Sequence, residues 1–141
     1  MTVKADLWFP TVIWNDELKQ INNSELKEYV IKLKAQDEQG KVASNYGGWQ
    51  SKSFDILDER PITVERFIQS IQNSINECTK MAGLMDLQIS DYWWNINGKG
   101  DYNHPHDHRD SILSGVYYID IPKENMGNIH FEREDNAQFF L

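Results

Sequence analysis

Three of the chain's four histidines fall within Asn103-His104-Pro105-His106-Asp107-His108-Arg109-Asp110-Ser111, spaced by two. Alternate side chains of an extended chain share a face, so His104, His106, His108 and Asp110 are predicted to line one side. Two imidazoles held side by side by the backbone chelate a metal with little further loss of chain freedom. Imidazole suits Fe, Zn, Cu or Ni. A carboxylate beside two imidazoles points to non-haem iron, which takes two His and one acid and keeps positions open. The competing reading is a polar loop tip. His104 precedes Pro105, which favours extended geometry there, and it is read as a rim or outer group.

The motif runs directly into Ile112-Leu113-Ser114-Gly115-Val116-Tyr117-Tyr118-Ile119. Ser111 to Ile121 reads as one long strand, and if pairing stays regular from His106 to Asp120, His106, His108, Asp110, Ile112, Ser114, Val116 and Tyr118 face one way. Leu113, Tyr117, Ile119 and Ile121 face the other. Both faces carry apolar residues, as expected of a strand held between a barrel interior and a covering helix. Tyr118 shares the ligand face, where it is either a donor to a bound group or a core aromatic with a satisfied hydroxyl.

The elements that must position this stretch are legible on either side of it. Ile89 to Ile96 is aromatic-rich, Asn97-Gly98-Lys99-Gly100 is a turn, and Asn128 to Glu132 begins another strand after a turn over Pro122 to Gly127. His130 is read as a polar residue of that strand. Earlier, Trp8 to Trp14 reads as extended, and Asn15 or Asp16 is expected to cap a first helix carrying Leu18, Ile21, Leu26, Tyr29, Val30 and Leu33 and stopping by Gly40. Gly47-Gly48 marks a turn or close backbone approach. Trp49 beside it is a core residue or a wall of the site's mouth. Thr63 is expected to cap a second helix whose stripe is Val64, Phe67, Ile68, Ile71, Ile75 and Cys78, ending near Gly83. Cys78 on that stripe is read as a buried, inert thiol. Helices first and antiparallel strands after give an α+β chain.

Composition narrows the function classes. The 141-residue chain is expected to form one domain. With 40 % apolar residues and no apolar run of bilayer length, it is neither disordered nor membrane-spanning. The single cysteine permits no internal disulfide, in keeping with a reducing cytoplasm. Met1 to Asp6 lacks a basic start and an apolar core, so no secretory signal is expected from it. A net charge of −8 with no basic cluster argues against a nucleic-acid partner.

Asn95, Gly100, His106-Asp107-His108, Ser114-Gly115-Val116-Tyr117-Tyr118, Pro122, Gly127 and Phe131, with Phe9-Pro10 and Gly48-Trp49-Gln50-Ser51 upstream, resemble a family of 2-oxoglutarate/Fe(II) oxygenases of bacteria and cyanobacterial phages. The resemblance implies a jelly-roll, or double-stranded β-helix, with N-terminal helices on the sheet. Helical support would occupy residues 15–83 and the motif strands 87–141 of a single domain. It implies Fe(II) as metal and 2-oxoglutarate as cosubstrate. His106 and His108 would be the ligands, with Asp110 next. His106-x-His108 fits the family, and His108-x-Asp110 fits the His-x-acid pattern of the wider superfamily. It also implies Asn95, Ser114 and Tyr118 as contacts to the cosubstrate. The family carries a further His ligand and a carboxylate-binding Arg after the point where this sequence stops, so the C-terminal strands are expected to be missing and the open sheet edge to invite homo-oligomers. The rival expectation is a metal- or ligand-binding jelly-roll without turnover. A third is a structural module completed by another copy of itself. The substrate is not legible in the sequence.

Overall fold

The structure, a computed structural model, describes residues 11–123 and 127–132. The chain divides into two compact units: residues up to Ile21 with Arg60–Ile89, and Asn22–Glu59 with residues from Ser90 onward. It is α+β, as expected. Among the described residues there are two helices and short antiparallel pairings, and no jelly-roll.

The first unit is built on α2, Ile62–Ala82. Val64, Phe67 and Ile68 of the expected stripe are buried, whereas Ile71, Ile75 and Cys78 are only half-buried. Cys78 is therefore not the fully enclosed thiol expected of it. Nor is Thr63 the cap. Pro61 holds that position in extended geometry, and its side chain makes no cap hydrogen bond. The expected end is correct. Gly83 takes the left-handed conformation (φ 66°), and the N–H of Leu84 donates to Thr79 O at 2.9 Å, closing the last turn. Gln72 is a polar clamp in this unit: its amide donates to Leu87 O at 2.8 Å and accepts the N–H of Ile89 at 3.1 Å.

The second unit begins with α1, Asn23–Gln36. This start differs from the one expected at Asn15 or Asp16. Asn22 and Glu25 form a reciprocal cap: Asn22 Oδ1 accepts the Glu25 N–H at 3.3 Å, and Asn22 Nδ2 donates to Glu25 Oε1 at 2.8 Å. Asp16 is engaged elsewhere in the first unit, accepting from Ser74 Oγ at 2.6 Å and from the Glu17 N–H at 2.7 Å. Those two bonds, the hydroxyl first, hold its carboxyl below the usual range.

Around α1 lies a two-stranded antiparallel ribbon. Strands β1 (Asn45–Tyr46), β2 (Trp49–Gln50) and β3 (Phe54–Asp55) pair in reverse order with β6 (Tyr102–Asn103), β5 (Asn95–Ile96) and β4 (Asp91–Tyr92). The register sets Asn45 opposite Asn103, Gln50 opposite Asn95 and Phe54 opposite Tyr92. Short unpaired stretches separate the three pairings, which are distinct two-stranded sheets. Ser51 bridges one such stretch, its N–H donating to Trp94 O and its hydroxyl accepting the Trp94 N–H, both at 2.9 Å. The expected turn at Asn97–Gly100 is present. The Asp101 carboxylate accepts the N–H of Gly98 at 2.7 Å and packs against Gly47, whose φ of 64° leaves no room for a side chain there.

Leu26 and Val30 of α1 are buried with Trp49 and Trp94 of the ribbon, and Tyr29 meets Trp94 edge-on at 5.9 Å. Burial raises the Tyr29 phenol. Trp49 is core, 3 % exposed, with its indole N–H donating to Asp37 O at 2.7 Å. Gly40 makes this possible. It has φ 59°, and a Cβ there would strike Gln50 O and sit 2.7 Å from the Trp49 ring. Gly40→Ala is expected to destabilise by more than about 1 kcal/mol, from both the strained backbone and the collision. Urea denaturation checks it, and an unchanged midpoint would contradict this packing.

The long strand expected over Ser111 to Ile121 is not formed, and Asn128 to Glu132 is not a strand either. No described segment runs alongside either stretch to complete a ladder, and a strand exists only as one side of a pair. The alternation of side chains nevertheless persists: Leu113, Tyr117 and Ile119 are half-buried while Ile112, Ser114, Val116 and Tyr118 are exposed. The face expected inside a barrel is thus open, with Ile112 68 % and Val116 66 % exposed. The buried parity is held by α1: Tyr117 Oη donates to Asn23 Oδ1 at 2.8 Å, and Lys27 Nζ pairs with Asp120 at 2.6 Å. A shallow depression of about 170 Å³ lies along this contact, lined by Asn23, Ser24, Lys27, Ile119 and Asp120. Residues 8–10 of the first extended segment, 124–126 of the late turn and the apolar end 137–141 lie outside the described residues. No described helix is long and apolar enough to cross a membrane.

Candidate metal centre

The histidine motif hangs from the end of the ribbon. The His104 N–H continues the ladder, donating to Ser44 O at 2.8 Å, and Asn103 Nδ2 donates to Ser44 Oγ at 3.1 Å. The His104 ring packs edge-on against Tyr102 at 5.1 Å and Tyr46 at 6.3 Å, and those two tyrosines stack at 4.9 Å. His104 therefore belongs to an aromatic cluster at the ribbon's end.

Beyond Pro105 the rings of His106 and His108 come together, with centroids 4.8 Å apart and planes at 81°. His106 Nδ1 lies 2.7 Å from His104 O. A carbonyl only accepts, so Nδ1 carries the proton and Nε2 keeps its lone pair for a ligand. Metal-binding histidines are commonly fixed in this way, with the far nitrogen donating to a backbone carbonyl.

After His108 the chain turns. The Ser111 N–H donates to His108 O at 3.0 Å, and Arg109 and Asp110 occupy the bend. This interrupts the same-face pattern expected to run on through Asp110, which stands exposed. Asp107 on the opposite parity accepts from Arg109 Nε at 2.8 Å, and that guanidinium lowers its carboxyl. The pair is solvent-exposed and contributes little to stability. Asn95 sits on β5 opposite Gln50, with its side chain toward solvent, and Ser114 and Tyr118 are exposed on the open face of the following segment. No hydrogen bond or ring contact among the described residues joins these three to the two imidazoles. His130 is likewise exposed.

Sequence reasoning missed what faces His108. Trp93 lies 5.5 Å from its ring, tilted by 44°. The Asp91 carboxylate is held by Ser53 Oγ at 2.7 Å and Ser90 Oγ at 2.8 Å. Those hydroxyls, with smaller contributions from His108 and Lys41, hold it below the usual range. The alternation from β4 onward carried a signal, since the exposed Asp91 and Trp93 alternate with the more buried Tyr92 and Trp94. The opposing residue, however, lies across a turn that no local pattern specifies.

Residues 91–141 match the model of the family described as "Putative 2OG-Fe(II) oxygenase". No curated protein and no solved structure matches the chain. The matched segment contains β4 to β6, both adjacent imidazoles, Asp110, Ser114 and Tyr118. Its description names Fe(II) and 2-oxoglutarate, and the geometry can be tested against that metal. Toward that metal the residues present offer two adjacent, exposed imidazoles, one with its Nδ1 tied to a carbonyl. No group of three His, Cys, Asp or Glu suited to a metal ion forms among the described residues, so there is no facial triad within them.

Proposed function

We propose that the segment 91–141 is the metal-holding part of a 2-oxoglutarate-dependent oxygenase, in which His106 and His108 are two ligands of Fe(II). One observation carries the reading: the oxygenase-family match falls on the stretch whose two imidazoles stand side by side, with His106 Nδ1 tied to a carbonyl. When bound, Fe(II) with 2-oxoglutarate supplies oxidation of a substrate C–H bond by O2, with release of CO2 and succinate. The chain's own part is to orient the imidazoles and to offer Asn95, Ser114 and Tyr118 as hydrogen-bonding groups for the cosubstrate carboxylates. A reducing, cytoplasmic setting suits Fe(II) and the lone Cys78 alike. The net charge of −8 favours a small-molecule or protein substrate over nucleic acid.

A second reading, a metal-binding module without turnover, is favoured by the lack of a third ligand among the described residues. Succinate release separates the two. Incubated with Fe(II), ascorbate, 2-oxoglutarate and air, the chain is expected to form succinate above a metal-free control, and a chelator or His108→Ala should remove that excess. Stoichiometric metal binding with succinate no higher than the control would replace the first reading by the second.

A further inference from the structure

We propose that Trp93, just after β4, and Asp91 on it position the His108 imidazole for metal ligation; this rests on the reading of His106 and His108 as a ligand pair. Tyr92 and Trp94 turn inward, where Trp94 is buried and the two rings meet edge-on at 5.6 Å. Asp91 and Trp93 must then project to the other side. That side is where the motif loop returns, and the Trp93 indole meets the His108 ring at 5.5 Å.

His106 and His108 are not fixed in the same way. His106 is held by its own loop, through the bond to His104 O. His108 has no equivalent hydrogen bond among the described residues. What restrains its ring is the indole on one side and His106 on the other. A flat indole against a flat imidazole limits rotation about the His108 side-chain bonds, so less freedom remains to be lost when a metal binds. The indole is itself anchored, because the next residue, Trp94, exchanges two hydrogen bonds with Ser51 across the ribbon.

Asp91 adds charge to shape. Its two oxygens each accept a serine hydroxyl, so the carboxylate is fixed in place and ionised. It lies close enough to His108 for the charges to act on one another, with Lys41 the other charged group facing it. A fixed anion beside a ligating imidazole stabilises the positive charge that a bound metal brings. Such outer partners typically contribute about 10- to 100-fold in metal affinity. Asp91 is placed here as a positioning residue, not a ligand, since no three-residue group suited to a metal includes it among the described residues.

The test is anaerobic calorimetric titration of the full chain with Mn(II), paired with NMR of the histidine ring protons in metal-free protein. Trp93→Leu and Asp91→Asn are each expected to weaken Mn(II) binding about tenfold. Trp93→Phe, which keeps a ring, should stay within a few-fold of wild type, and its folding can be checked by amide dispersion. The His108 ring protons should lose an indole-shielded shift in Trp93→Leu and keep their position in Asp91→Asn. Unchanged Mn(II) affinity in both Trp93→Leu and Asp91→Asn would overturn this inference while leaving the ligand pair intact. Wild-type protein that binds Mn(II) no better than His108→Ala would overturn the ligand pair, and the positioning role with it.

Discussion

His106→Ala and His108→Ala are each expected to abolish stoichiometric binding of Fe(II) or Mn(II), whereas His104→Ala should weaken it only modestly. The two imidazoles are neighbours on one short loop, with centroids 4.8 Å apart, so the second nitrogen meets a metal already held by the first. Losing either converts a chelate into a single-point contact, and the effective concentration of a tethered second site is worth about 10²–10⁴ in affinity. His104 contributes differently. It is the backbone carbonyl of His104, not the ring, that orients His106, and alanine keeps that carbonyl. The His104 ring is occupied with Tyr46 and Tyr102. Anaerobic titration calorimetry of the three variants decides the matter. Full-strength binding by both His106→Ala and His108→Ala would remove the metal assignment, and a loss in His104→Ala as deep as theirs would make His104 a ligand.

The spacing of two that made this pair visible is a local signal, and local signals were the ones that carried over. The second helix ends at Gly83 because glycine alone takes the left-handed closing position without penalty. The turn at Asn97–Gly100 was equally plain. The first helix start was misplaced because two plausible caps lie a few residues apart, Asp16 and Asn22. The choice between them depends on Ser74, far along the chain, which engages Asp16. Only Asn22 has the acid three residues on that completes a reciprocal cap.

The long motif strand was misjudged for a different reason. Alternation of side chains is written in the sequence and survives in the half-burial of Leu113, Tyr117 and Ile119. A hydrogen-bond ladder is not, because it needs a neighbour, and pairing partners are set by the whole fold. The ribbon makes the same point in reverse. Its halves, around Trp49 and Trp94, are separated by all of α2, and nothing local to either announces the other. That is also why Trp93 and Asp91 escaped notice beside His108. Their own alternation was readable, and the residue they meet was not.

Leu26→Ala in α1 is expected to cost about 2–5 kcal/mol of stability, the largest change from any single apolar substitution considered in this unit. The Leu26 side chain is 0 % exposed, and Val30, one turn later on the same face, is 4 % exposed. Removing it leaves a cavity that the neighbouring Tyr29–Trp94 contact cannot close without moving the ribbon. The effect should also reach the motif side of the unit. Segment 117–120 has no ladder of its own and rests on α1 through the Tyr117–Asn23 hydrogen bond and the Lys27–Asp120 pair. A loosened α1 should therefore raise amide exchange at Tyr117 to Asp120 along with that of the helix. Lys27→Ala supplies the contrast. Its ion pair is more than half exposed, so cutting it should cost no more than about 1 kcal/mol and leave α1 protected. Urea denaturation with hydrogen exchange measures both variants. A loss below about 1 kcal/mol in Leu26→Ala would mean that α1 does not hold the ribbon as its burial requires.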